Sequence, residues 1–145
     1  MAKIIYLHGF ASSANSTKAL QLKKYIFENY SKTEIIIPNI ENNIVDAVQQ
    51  IDNLIKEFSP SALIGSSLGG FYATYFSEQY NLKCVGINPA VIPPAEMSEY
   101  LGENKNYSTG EKFLITQEQL DLLDRMGKEI KVIKCPGNFM ILLQS

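Results

Sequence analysis

Apolar residues fall along this chain in two alternating patterns. Short runs at 3–7 (KIIYL), 34–38 (EIIIP), 61–65 (SALIG) and 84–88 (CVGIN) are rich in β-branched residues and lack in/out alternation. Strands buried on both faces read this way. Between them the period lengthens to that of a helix. Residues 17–30 carry Ala19, Leu22, Ile26 and Tyr30 on one stripe, and residues 44–58 carry Ile44, Val48, Ile51, Ile55 and Phe58 on another. Each predicts an amphipathic crossover helix. A third helix is predicted from near Gly69 to about Tyr80, with Ala73, Phe76 and Tyr80 inward. Repeated strand-helix units imply an α/β fold, a mainly parallel sheet with helices on both faces.

Beyond Pro89 the rhythm breaks. Residues 90–128 include a proline pair, scattered Asn, Gly and Ser, and little periodicity, and read as an irregular, cap-like excursion over the sheet. Within it, Thr116 and Gln119 form a T-x-x-Q capping box ahead of a short helix carrying Leu120, Leu123 and Met126. The final stretch holds two apolar runs around Pro136-Gly137 and closes on FMILL, which has the character of an interior strand. An interior-type strand as the last element leaves a pairing edge and a bare face, so the chain reads as cut short.

Composition narrows the function classes. At 145 residues with 46% apolar content, the chain is expected to form a single domain over 1–145. A net charge of -2, with basic and acidic residues interspersed, offers no footprint for nucleic acid or an acidic lipid surface. The opening MAKIIYLHGF is too short in apolar residues for a leader or a membrane span, which points to the cytoplasm. Cys84 and Cys135 stand far apart without a CxxC pattern and with one histidine in the chain, so neither a zinc site nor a disulfide framework is expected. A small neutral substrate fits this balance better than a macromolecule. Oligomeric state is left open.

Candidate chemistry centres on GSSLGG. Gly65, Ser67 and Gly69 satisfy G-x-S-x-G between a predicted buried strand and a predicted helix, where a nucleophile elbow requires it. Glycines flank such a serine because side chains there would strike the neighbouring strand and helix. Ser66 reads as a packing or hydrogen-bonding residue. A Gly-rich junction that only packs tightly, or that cradles an anion on helix N–H groups, has the same outline. No Walker lysine and no G-x-G-x-x-G accompany it. A second constellation, His8-Gly9-Phe10, follows the first strand. Acyl transfer needs main-chain donors aimed at the oxygen on which charge develops. The Leu68 and Phe10 amides are the expected pair, with Gly9 permitting close approach. His8 is expected to orient that loop rather than act as the base, since triad histidines in such folds follow the serine.

YLHGF, IIIPNI, LIGSSLGGFYATYFSEQY, INPAV and YLG together resemble the YqiA-type small bacterial esterases of the α/β-hydrolase superfamily, in order from about Lys3 to Gln144. The resemblance implies hydrolysis of small carboxylic esters or thioesters through a serine, an aspartate and a histidine, without a cofactor. Ser67 matches the nucleophile and the loop after His8 matches the oxyanion turn. The acid and histidine it implies would follow the strand FMILLQ, beyond Ser145. Asn88 cannot carry charge, and Asp121 and Asp124 belong on a solvated helix face. The expected 145-residue chain is therefore nearly inert alone and does not label with a fluorophosphonate. A non-catalytic α/β-hydrolase-like protein that binds a small ligand or a partner strand is the alternative. Tyr100, Tyr107 and Phe113 are possible apolar lining of the site.

Overall fold

The computed structural model describes residues 2–88, 97–130 and 136–142. Cys135 and residues 90–96 of the expected excursion lie outside the described residues. In chain order the elements are β1 (Ala2–Leu7), α1 (Thr17–Asn29), β2 (Thr33–Ile36), α2 (Ile44–Phe58), β3 (Ala62–Ser66), α3 (Leu68–Tyr80) and β4 (Lys83–Ile87). A 3-10 turn (Ser98–Tyr100), β5 (Gly102–Lys105), β6 (Lys112–Ile115), α4 (Gln117–Ile130) and β7 (Phe139–Leu142) complete them. Five strands form one parallel sheet in the order β2-β1-β3-β4-β7. This is the α/β architecture expected from the alternating periods.

Side chains alternate across β1, so Ile5 and Leu7 enter the main core while Tyr6 faces the other way. That core joins Leu63 with Ile44, Ile51 and Ile55 of α2, Phe71 and Phe76 of α3, and Leu120, Leu123 and Met126 of α4. Helix α1 buries Ala19 and Ile26 outside this cluster and packs against β2. Its stripe stops short of the expected end: the helix closes at Asn29, and Tyr30, the C-cap residue, is 50% exposed against Tyr25.

Two other differences matter. The segment after position 100 contains an antiparallel pair, β5 with β6, which the irregular reading did not anticipate. The capping box is half formed. Thr116 Oγ1 accepts from the Gln119 N–H at 3.4 Å and from Gln119 Nε2 at 3.3 Å, but the Gln119 carboxamide does not return a bond to the Thr116 N–H. It accepts from the Ile44 N–H and donates to the Leu114 carbonyl, both at 2.9 Å, so it joins α4 to the start of α2. Strand β7 lies at the sheet edge, with Met140, Ile141 and Leu142 each about half exposed or more.

Candidate active site

Ser67 stands between the last residue of β3 and the first of α3, with φ 51° and ψ -118°. A residue with a Cβ adopts such a backbone only at a cost, about 1–3 kcal/mol, and only where its surroundings hold it there. The surroundings here are backbone. The Ser67 N–H donates to the Ile87 carbonyl at 3.1 Å, and the Ser67 carbonyl accepts from the Phe71 N–H at 3.1 Å. The two flanking glycines are obligatory on steric grounds. A Cβ on Gly65 would stand 2.1 Å from the Gly69 oxygen, and one on Gly69 would stand 2.1 Å from the Leu7 oxygen and 2.5 Å from that of His8. Gly69 therefore presses the start of α3 against the end of β1, which brings the His8–Phe10 loop beside the serine.

Gly9 is adjacent to that serine. A Cβ there would lie 3.5 Å from Ser67 Cβ and 3.9 Å from Ser67 Oγ, ordinary contact distances. The fold thus tolerates a side chain at this position, and what Gly9 contributes is open space next to Oγ. Among the described residues no acceptor is paired with the Phe10 or the Leu68 N–H, and Leu68 opens α3 at the positive end of its dipole. Both residues line the same cavity of about 770 Å³ as Ser67. Its apolar walls come from Phe10, Met97, Tyr100 and Tyr107, while Lys18 and Glu99 bring one charge of each sign to it. Phe113 touches the site indirectly, packed edge to face on Phe10 at 5.5 Å.

His8 is 4% exposed and both of its ring nitrogens are engaged. Nε2 accepts from the Ile40 N–H at 2.9 Å, so the proton resides on Nδ1, which donates to the Gly9 carbonyl at 2.9 Å. Burial holds its pKa below the ordinary histidine value, against a smaller opposing effect of the Gly9 carbonyl. A neutral imidazole with no free lone pair has nothing to offer a serine proton. Ser66 is buried beside Tyr6 and, with it, lines the same cavity as Ser67. Asp121 lies on an exposed part of α4 and is tied to Gln117, and Asp124 pairs with Lys128 at 3.1 Å. Cys84 is buried among the core side chains, and burial raises its thiol pKa. Among the described residues no cluster of His, Cys, Asp and Glu could hold a metal, and no helix is long and apolar enough to cross a membrane.

One group at the site escaped the sequence reading. Asn106, in the β5–β6 connection, reaches the loop after Phe10. Its only sequence signal was an Asn among other turn-forming residues.

Residues 3–145 match the family model described as "Uncharacterised protein family (UPF0227)". Two curated relatives from Pectobacterium match over 108 residues: UPF0227 protein ECA1814 of P. atrosepticum at 30% identity and UPF0227 protein PC1_2487 of P. carotovorum at 28%. In each case the match covers 72% of this chain, which spans 59% of the relative's length. Among solved structures, Est1E from Butyrivibrio proteoclasticus, described with bound ferulic acid, superposes with a TM-score of 0.72 at 10% identity, covering 99% of this chain and 68% of that one. The esterase domain of a Rhodothermus marinus protein gives 0.67 at 18% identity, covering 98% and 63%. A structure from the work on LipS and LipT, two metagenome-derived lipolytic enzymes, gives 0.61 at 12% identity, covering 99% and 83%. At these identities the likeness establishes the α/β-hydrolase fold.

Proposed function

The chain belongs to the UPF0227 family, and from that membership and the bend at residue 67 we propose that it carries the nucleophile half of a serine esterase acting on small carboxylic esters or thioesters. Ser67 Oγ attacks the carbonyl carbon as its proton passes to a base. The carbonyl oxygen becomes an oxyanion between the Phe10 and Leu68 N–H groups, each such donor contributing about 3 kcal/mol in comparable enzymes. The C–O or C–S bond then breaks, the leaving group takes the proton, and water hydrolyses the acyl-serine.

The observation that carries this reading is the strained, glycine-flanked backbone at Ser67, held at a strand-to-helix turn beside a cavity of about 770 Å³. Esterases and lipolytic enzymes among the fold's neighbours support it. Neither a free histidine base nor a histidine–acid pair is supplied near Ser67 by the described residues: the chain's one histidine is committed elsewhere, and the carboxylate lining the cavity, Glu99, has no histidine beside it to orient. We assign both to the remaining length of the family's proteins. No cofactor is required.

The test is covalent labelling by a fluorophosphonate, paired with p-nitrophenyl butyrate hydrolysis. A form of the chain extended to the length of its curated relatives labels at Ser67 and turns over ester, its Ser67→Ala variant does neither, and the 145-residue chain labels far more slowly. Equal rates for the extended form and its Ser67→Ala variant remove Ser67 from the mechanism and favour a ligand-binding role for the cavity. Strong labelling of the 145-residue chain shows instead that a base lies within it.

A further inference from the structure

The loop that carries the Phe10 amide is gripped by the hairpin connection between β5 and β6. Asn106 is 3% exposed and uses its carboxamide completely. Nδ2 donates to the Ser12 carbonyl at 3.0 Å and to Asn42 Oδ1 at 2.8 Å. Oδ1 accepts from the Ser108 and Thr109 N–H groups at 2.9 and 3.0 Å. On either side of that contact, the Tyr107 N–H donates to the Ala11 carbonyl at 2.9 Å and the Ser13 and Ser108 hydroxyls meet at 2.6 Å. Three consecutive residues, 11 to 13, are thus each held by the same connection. Phe10 itself rests on Tyr100 at 4.7 Å between ring centroids and on Phe113 at 5.5 Å.

The loop needs such a grip. Ala11 follows Phe10 at φ 55°, a left-handed conformation that a residue with a Cβ keeps only where its surroundings over-determine it. His8 secures the loop on the sheet side through Gly9 and Ile40, but no bond of its ring reaches past Gly9. Ser13 also accepts from the Asn15 and Ser16 N–H groups within its own loop, but the bonds that reach residues 11 to 13 from a distant part of the chain come from the hairpin connection.

We propose that Asn106 is a positioning residue: by clamping the Ser12 carbonyl it fixes the aim of the Phe10 N–H over Ser67. The inference rests on the esterase reading and extends it to a residue remote in sequence. An amide suits the place because donors are needed toward Ser12 and Asn42 and acceptors toward Ser108 and Thr109, a division no carboxylate can supply.

That division supplies the test, in the chain extended to the length of its relatives. Asn106→Asp keeps both acceptors for the Ser108 and Thr109 amides and sets a carboxylate oxygen against the Ser12 carbonyl. With p-nitrophenyl butyrate as probe, kcat falls about 10- to 100-fold while KM stays within about twofold, because an oxyanion donor acts in the transition state. In 15N-labelled protein the amides of residues 9–13 shift and exchange faster while those of β1 and β3 hold. If Asn106→Asp does not fold, Asn42→Ala removes one acceptor and gives a smaller change in the same direction. Turnover within twofold of wild type in the variant that folds overturns the proposal. So does a loss of kcat with the amides of 9–13 unmoved. Should wild type itself fail to hydrolyse the ester, the esterase reading falls while the loop amides still decide whether Asn106 is the clamp.

Discussion

Replacing Gly65 by alanine tests the packing from which the site is built. The added methyl would lie 2.1 Å from the Gly69 oxygen, 2.4 Å from the Gly69 carbonyl carbon and 2.6 Å from the Gly70 nitrogen. Relaxed contacts between such atoms lie near ~3.5 Å, so the start of α3 must retreat from β3 by about an ångström. All three atoms are backbone, and no rotamer can relieve them. The retreat also loosens Gly69, which is wedged against the Leu7 and His8 carbonyls. Overpacking usually costs 1–3 kcal/mol, and a clash with rigid backbone belongs at or above the top of that range, about 3 kcal/mol. For a chain of this length that lowers Tm by roughly 10 °C. Circular dichroism melts and urea titrations of wild type and Gly65→Ala measure it. Gly127→Ala is the control: in the last turn of α4 its methyl meets only Phe71 Cε2, at 3.9 Å. It gains at most about 0.8 kcal/mol from helix propensity. Gly65→Ala within about 1 kcal/mol of wild type would refute the argument that hydrogen alone fits at this turn.

Ser67→Gly relieves the φ 51° strain and gains about 1 kcal/mol over Ser67→Ala, which keeps it, while both lose covalent labelling; equal melting temperatures would dismiss the strain. His8 makes stability depend on pH in a defined window. Its folded pKa is lowered by burial, so in mild acid the unfolded chain binds a proton that the folded chain refuses. The stability is complete above the unfolded value of about 6.5 and is lost as pH falls toward the depressed folded value, at a rate of at most about 1.4 kcal/mol per pH unit. The Tm advantage of wild type over His8→Gln therefore shrinks between pH 7.5 and 5.5, and a constant advantage would show that the imidazole is not held neutral.

What the sequence made legible was local. The central strands β1, β3 and β4 sit within a residue or two of the apolar runs, because burial on both faces leaves few polar positions to blur the pattern. The Ser67 turn was readable because its glycines answer a steric need that leaves its mark at fixed spacing. Other features depend on partners distant in the chain. Strand β5, GENK, is polar and contains no β-branched residue, so nothing in its composition competes with an irregular reading. Asn106 looked like a loop residue because its acceptors, Ser12 and Asn42, lie 94 and 64 positions away. His8 was read as an organiser of its loop, but its bond to Ile40, 32 residues on, is a tertiary fact without a sequence signature.

The distribution of backbone strain separates scaffold from site. Among the described residues, five non-glycine residues have positive φ: Ala11, Ser59, Ser67, Asn81 and Asn88. Ser59 and Asn81 are left-handed C-caps of α2 and α3, where the conformation ends a helix and the cap N–H finds its carbonyl in the last turn. These lie at the amino ends of β3 and β4. The other three follow the carboxyl ends of β1, β3 and β4, the edge at which open parallel sheets place their ligands. There each is held by main-chain bonds from another element: the Ala11 carbonyl by the Tyr107 N–H, the Ser67 N–H by the Ile87 carbonyl, and the Asn88 N–H by the Leu142 carbonyl. At about 1–3 kcal/mol apiece, their combined strain is a large fraction of the ~5–15 kcal/mol by which a domain is stable. A chain selected only to fold would shed that cost by placing glycine at 11 and 67. Its retention along one edge, beside the cavity, ties the strain to the use of that edge.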